Sequence, residues 1–521
     1  MKRTILSLFL LLSSMLAFSQ YRNPIIDADV PDVSLCYDGT YYYMISTTMH
    51  LMPGGPIMRS SDLEHWEVIS YVFDRIEDGD RYDLKDNKTV YGQGQWASSI
   101  RYHKGKFWVW FTANGAPGKG FVFSADKAEG PWTLVARPPH FHDGSLLFDD
   151  DDRVWMFYGT GDLQELDPQT FEPKGPHMRT FERDSDERGL LEGSSVIKRN
   201  GKYYLCMISM DWSIPGRLRR EVCYRADKIE GPYEKKVILE TPFETYGGVG
   251  QGCLVKGAND KWDAVIFQDR GGIGRTPCLM PVRWIDDWPM LGDENGNIPN
   301  DMSISHIQQK GVVDSDEFDG EKPKLVWQWN HNPIDSAWKM VKGNLRLTTA
   351  RVVNNIFVAP NTITQRMEGT FCEGIIKIDV RKMKDGDVCG FAAFNGDSGI
   401  LNIRRKGNVW TLSLSEEKSV FNRDKSIDRS DVEDVKIITL DKKSLKSIYL
   451  KINADFNPRK DLASFAYSTD GKNFTTFEHQ HKMQFDYRRM FMGSKFAIFN
   501  YATKQTGGFV DVDWFHYSQH D

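Results

Sequence analysis

The chain reads as an all-β protein, a five-bladed β-propeller followed by a β-sandwich, on three observations. Five segments repeat one pattern: a small residue, a few apolar positions, a polar turn, then a short aromatic strand. They are SLCYDGTYYYM from Ser34, SIRYHKGKFWVW from Ser99, SLLFDDDDRVWMF from Ser145, SVIKRNGKYYLC from Ser195 and CLVKGANDKWDAV from Cys253. Repeats of this size are the mark of radial arrays, in which equivalent positions converge on one axis. Strand signals dominate throughout, and no long stretch sustains a helical period. Finally, the texture changes at residues 306–322, HIQQKGVVDSDEFDGEK, which is polar and charged as a linker or domain entry would be.

The repeats are spaced 65, 46, 50 and 58 positions apart, so loops of variable length must join four-stranded units. Their aromatic runs, Tyr41–Ser46, Phe107–Thr112, Val154–Tyr158, Tyr203–Ile208 and Trp262–Phe267, are separated by clusters of Gly, Asp and Asn. A second motif follows several of them: SSDLEHWEVIS at Ser60, SADKAEGPWTLVA at Ser124 and RADKIEGPYEKKV at Arg225. Each puts a polar turn before an aromatic, which suits the outer hairpin of a blade. Five blades account for residues 21–305. The region 316–521 alternates apolar and polar residues, as in Ile375–Val380 and Tyr449–Ile452, which suits a two-sheet sandwich.

The ends and the composition narrow the class. Lys2 and Arg3, the apolar run Ile5–Phe18 and the small-x-small site Ala17-Phe18-Ser19 read as a signal peptide over residues 1–19. The expected location is therefore exported, in the periplasm or secreted, with no membrane span. A net charge of -6 leaves no basic footprint for nucleic acid. The seven cysteines have no CxxC spacing, so no zinc site is expected, and their odd number leaves at least one thiol unpaired within the chain. Cys206 and Cys223 could form a disulfide bridge between neighbouring strands of one repeat.

Just before the small residues sit Asp32, Trp96, Asp143, Glu192 and Gln251. Three acids converging on one axis suit glycoside hydrolysis, in which one carboxylic acid protonates the leaving oxygen and an ionised one activates water. A third can raise the acid's pKa. Spacing alone does not assign these roles. Asp32 stands among Asp27, Asp29 and Asp38, any of which could cap a turn, and Asp143 competes with the run Asp149–Asp152, which reads as a solvated hairpin turn. GGVGQG from Gly247 lacks the spacing and strand–helix context of a dinucleotide site.

In this order NPIIDADVPDVSLCYDGTYYYMIST, QWASSIRYHKGKFWVWF, HDGSLLFDDDDRVWMFYGTG, LEGSSVIKRNGKYYLC and GRTPCLMPVRW resemble glycoside hydrolase family 43 over residues 21–305. The region from residue 316, clearest in DEFDGEKPKLVWQWNHNPIDSAW, resembles the concanavalin-like sandwich of its β-xylosidase and α-L-arabinofuranosidase members. The resemblance implies a five-bladed propeller and an inverting mechanism, with Asp32 as general base, Glu192 as general acid and Asp143 as the aspartate that raises the acid's pKa and orients it. It further implies substrate contacts from Arg275, and a sandwich that either closes one side of the pocket or binds polysaccharide. Trp96 is read as a wall of the sugar pocket or as blade core, and His50, in TTMHLMPGG, as a polar contact to sugar hydroxyls. Gln251 departs from the resemblance, because many members carry a His there that helps to hold a central water or ion. No cofactor is therefore required and a structural calcium is disfavoured. The expected activity is exo-acting release of terminal α-L-arabinofuranosyl groups from hemicellulose side chains (xyloglucan or arabinoxylan). β-D-Xylosidase or a bifunctional enzyme is the alternative, and a non-catalytic carbohydrate-binding propeller is the rival of another class.

Overall fold

The computed structural model describes residues 22–115, 119–301 and 311–520. The segment read as a signal peptide lies outside them. Five four-stranded antiparallel sheets follow one another in the chain, each ordered first to fourth strand from inside to outside. Blade 1 comprises Ser34–Tyr37, Tyr42–Ile45, Gly54–Ser60 and Glu67–Phe73. Blade 2 comprises Gly94–His103, Lys106–Asn114, Gly120–Ala125 and Thr133–Ala136. Blade 3 comprises Ser145–Phe148, Val154–Tyr158, Asp162–Leu166 and Pro173–Arg179. Blade 4 comprises Gly189–Arg199, Lys202–Asp211, Arg220–Ala226 and Glu234–Leu239. Blade 5 comprises Gly252–Lys256, Trp262–Asp269, Arg275–Ile285 and Trp288–Leu291. The first strands of successive blades touch, and that of blade 5 touches that of blade 1, so the ring is closed. Closure by radial repetition leaves only short edges open to water.

The repeat pattern explains the blades. The small residue opens the innermost strand, where five strands crowd together, and the polar turn carries the chain to the aromatic second strand. Those aromatics fill the space between blades: Trp110 and Phe111 of blade 2 and Trp155 and Phe157 of blade 3 are fully or almost fully buried. The Asp149–Asp152 run forms the turn between the first two strands of blade 3. Cys206 and Cys223 face each other across neighbouring strands of blade 4 as free thiols.

From Gln328 onward the chain builds two stacked antiparallel sheets, of eight and seven strands. The alternation read in the sequence is literal here: Phe371–Asp379 and Ile448–Asp455 turn every second residue inward. Phe391, Phe496 and Phe515 meet between the sheets with ring centroids 5.6–6.2 Å apart. Each fully buried aromatic of this kind contributes about 1.5–3 kcal/mol. The two domains share a sheet. Leu51–Met52, from a loop of blade 1, pairs with Gln328–Asn330 and becomes the edge of the eight-stranded sheet. This pairing fixes the sandwich against one end of the propeller. Among the described residues no helix is long and apolar enough to cross a membrane.

Candidate active site

The ring brings Asp32, Asp143, Glu192 and Gln251 to one end of the propeller axis, by two different backbone devices. In blades 1, 3 and 5 the residue ahead of the innermost strand adopts a left-handed conformation: Asp32 at φ 51°, Asp143 at φ 49° and Gln251 at φ 67°. This region is sparsely populated by residues other than glycine, although Asp enters it more readily than most. Residues held there cluster at functional sites. In blades 2 and 4 the innermost strand runs further, and its register slips between Gln95 and Ser98 and between Glu192 and Ser195. These bulges re-aim Trp96 and Glu192. Within the second, Gly193 must be glycine. Its φ is +71° and a Cβ there would fall 2.6 Å from the Gln251 side chain.

The three acids differ in environment. Asp32 is buried, and Arg275 Nη1 donates to its Oδ1 at 2.9 Å. Burial pushes the Asp32 carboxyl above the ordinary carboxylate range, while the Arg275 guanidinium pulls it back down. Asp143 is also buried, and its Oδ2 accepts from the Gly193 amide at 3.0 Å. Burial, with repulsion from Glu192 and Asp32, pushes Asp143 up to about 7, against the opposing pull of His142. Glu192 is the accessible member, with a side chain 40% exposed. A carboxyl open to solvent can reach a substrate oxygen; the two buried ones set the field around it.

His142 joins this group. Its Nε2 lies 3.7 Å from Glu192 Oε2 and 3.8 Å from Asp143 Oδ2. The Glu192 carboxylate and then the Asp143 charge raise the imidazole to about 9, so it is a cation at neutral pH. It was visible in the HDGS motif only as the residue before Asp143; nothing in the spacing tells that its ring bridges two acids. Another residue hidden from the sequence is Glu221, fully buried on the third strand of blade 4. It sits two strands across from Glu192, with Ile208 between them. Its Oε2 accepts from the Gln251 amide at 3.0 Å, and burial raises the carboxyl to about 8.

Asp32, Asp143 and Gln251 also line a narrow polar space of about 20 Å³ with Ser98, Ser145 and Ser195. That volume suffices for one water. A calcium ion takes six to eight oxygen ligands. With an amide at position 251, and both carboxylates engaged by Arg275 and by Gly193, this donor set fits a water better than calcium. His142, Asp143 and Glu192 are close enough together to share a metal ion. The cationic imidazole between the carboxylates serves them equally well as a counter-charge.

The sandwich supplies one wall. Phe491, from the loop ahead of the strand Lys495–Ala502, stacks on Trp96 with centroids 5.3 Å apart and planes 20° from parallel. The Arg275 guanidinium lies 5.1 Å from the Phe491 ring. The loop is fastened to blades 1 and 5: Asp29 Oδ2 accepts from the Gly493 amide, its Oδ1 accepts from the Arg275 amide, and the Gly272 carbonyl accepts from the Ser494 amide. Arg275 Nε and Nη2 are buried beside this wall with no hydrogen-bond partner in the protein. Trp96 and Arg275 thus meet on either side of Phe491. His50 does not join them. It is fully buried against Tyr91 and His331, with centroids 4.6 and 5.0 Å away, because the next two residues enter the sandwich sheet and carry it away from the axis. A separate cavity of about 570 Å³ opens at the far end of the innermost strands, beside Lys198, Asn200 and Lys256, and holds none of the three acids.

A propeller whose axis ends in a solvent-facing carboxyl, two buried ones and an aromatic–arginine wall is the architecture of a glycoside hydrolase. Residues 21–289 match the model of the glycosyl hydrolases family 43, and residues 315–518 match that of the β-xylosidase C-terminal concanavalin A-like domain. The chain belongs to family 43. It is 26% identical to a β-xylosidase of Formosa agariphila, over 95% of this chain and 90% of that one. It is 30% identical to a non-reducing end α-L-arabinofuranosidase of Bacteroides ovatus, over 67% of this chain and 69% of that one. Among solved structures it resembles a bifunctional GH43-CE protein of Bacteroides eggerthii, with a TM-score of 0.87 and 37% identity. That match covers 96% of this chain but only 64% of the other.

Proposed function

We propose that this chain is an exo-acting, inverting pentosidase that removes terminal non-reducing-end sugars, β-D-xylosyl or α-L-arabinofuranosyl, from xylan-type hemicellulose. The observation that carries the reading is the division of labour among the three acids: Glu192 exposed beside a cation, Asp32 and Asp143 buried. In this scheme Glu192 protonates the glycosidic oxygen as it leaves. Asp32, paired with Arg275, takes a proton from the water that attacks the opposite face of the anomeric carbon. His142, placed between Asp143 and Glu192, orients the Glu192 carboxyl. Attack from the face opposite the leaving group inverts the anomeric configuration.

The two sugars present similar hydroxyls, and the relatives named above divide between them. A second β-xylosidase relative, the putative enzyme of Xylanibacter ruminicola at 30% identity, inclines the reading towards β-D-xyloside as the faster substrate. Assaying the purified protein on 4-nitrophenyl β-D-xyloside and 4-nitrophenyl α-L-arabinofuranoside tests this directly. Release of nitrophenol from at least one is expected. Binding of xylo-oligosaccharide with no turnover of either would instead support a carbohydrate-binding propeller. The signal-like N-terminus supports a further proposal, export to the periplasm or beyond, which fits a polymeric plant substrate.

A further inference from the structure

The most exposed large apolar side chain among the described residues is Trp212, 67% exposed, with Ile214 nearby at 43%. At that exposure the indole offers an open apolar face to a ligand. Trp212 follows the second strand of blade 4 directly, and its amide donates to the Arg188 carbonyl, extending the ladder between that strand and the innermost one. The indole lies over Gly189, the first residue of the innermost strand. A Cβ at 189 would fall 2.4 Å from Trp212 Cγ, and φ there is +119°, so the seat demands glycine. Asp211 holds the turn by accepting from both the Ser213 amide and its hydroxyl.

The position has chemical meaning because of what shares the strand. Glu192 stands three residues further along the same strand as Gly189, about 10 Å at the usual rise per residue. Trp212 therefore lies at the same end of blade 4 as the proposed acid. The acid gives its proton to the leaving-group oxygen, so the remainder of the substrate must depart on that side. The rim also continues from this loop to the sandwich. Arg219 pairs with Asp269, and Asp269 accepts from the hydroxyl of Tyr487, itself 53% exposed and packed edge-on against Phe491.

We propose that Trp212 is the platform of a leaving-group subsite, stacking on the apolar face of a pyranose ring of the xylan-type chain from which the terminal sugar is cut. The face of an indole is the largest apolar surface a side chain offers to the C–H face of a sugar. This inference rests on the proposed role of Glu192, and the test separates the two. Two readouts are compared between wild type and Trp212→Ala: kcat/KM on xylotriose relative to that on β-D-xylosyl fluoride, whose leaving group carries no ring, and the affinity of the Glu192→Gln background for xylotriose by calorimetry. The expected result is a loss of about ten-fold on xylotriose in both readouts, a loss of no more than about two-fold on the fluoride, and recovery of most of the difference by Trp212→Tyr. An unchanged substrate ratio with unchanged affinity would overturn the subsite. So would a change confined to oligomeric state in sedimentation, which would make the indole a subunit contact. A wild type that hydrolyses neither substrate yet loses affinity on Trp212→Ala would refute the acid's role and leave the stacking platform standing.

Discussion

Replacing Glu221 by Gln should flatten the pH dependence of stability. In the folded protein the Glu221 carboxyl is fully buried, accepts one hydrogen bond from the Gln251 amide, and leaves Oε1 without a partner. Burial raises it from 4.5 to about 8. The sign follows from linkage. Below 4.5 the carboxyl is neutral in both folded and unfolded chains, and its contribution is fully present. As the pH rises, the unfolded chain ionises first, and stability falls until the folded-state value of about 8 is passed. A difference of about 3.5 pH units is about 5 kcal/mol at 1.36 kcal/mol per unit, an upper figure that any water reaching Oε1 would reduce. Glutamine keeps an oxygen for the Gln251 amide and cannot ionise. Melting curves of wild type and Glu221→Gln from pH 5 to 9 should therefore converge at the acid end. At the alkaline end the variant should melt higher by on the order of 10 °C. Parallel curves would mean that Glu221 ionises at an ordinary pH and that burial does not dominate its environment.

Other perturbations bear on the site itself. Asp143→Asn removes one of the three charges that raise His142 and should cut kcat/KM at least about a hundred-fold, with the alkaline limb of the pH–rate profile shifted to lower pH. Arg275→Met breaks a buried ion pair, which typically costs about 3–5 kcal/mol of stability. It also removes the main force holding Asp32 down, so the acid limb of the profile should move to higher pH. Phe491→Ala should raise KM on the nitrophenyl glycoside about ten-fold with a smaller effect on kcat, because it removes a wall and leaves the acids in place.

Much of the fold was legible because each blade carries its own copy of the same local instructions. A small residue, a polar turn and an aromatic strand specify a hairpin wherever they occur, and five hairpins in series leave few arrangements but a ring. The offsets of Asp32, Asp143 and Glu192 from those hairpins were legible for the same reason. What was not legible depends on contacts between distant segments. Phe491 meets Trp96 across almost 400 residues of sequence, Glu221 reaches Gln251 only because blades 4 and 5 are adjacent, and His142 bridges two acids from different blades. His50 was misplaced on similar grounds. Its surroundings read as a blade loop, and the strand that follows it belongs to the other domain's sheet. The left-handed backbones were legible only in part: Gly144 follows Asp143 and Gly250 and Gly252 flank Gln251, whereas no glycine adjoins Asp32.

The central claim, that Glu192 donates the proton to the leaving oxygen while Asp32 activates water, is tested most directly by varying the leaving group. The measurement is kcat/KM of wild type, Glu192→Gln and Asp32→Asn on 2,4-dinitrophenyl β-D-xyloside, whose leaving group needs little protonation, and on xylobiose, whose leaving group needs it fully. The account predicts that Glu192→Gln loses about 10²–10⁴-fold on xylobiose and much less on the dinitrophenyl glycoside, whereas Asp32→Asn loses heavily on both. Equal losses for Glu192→Gln on the two substrates, or retained activity in Asp32→Asn, would contradict it.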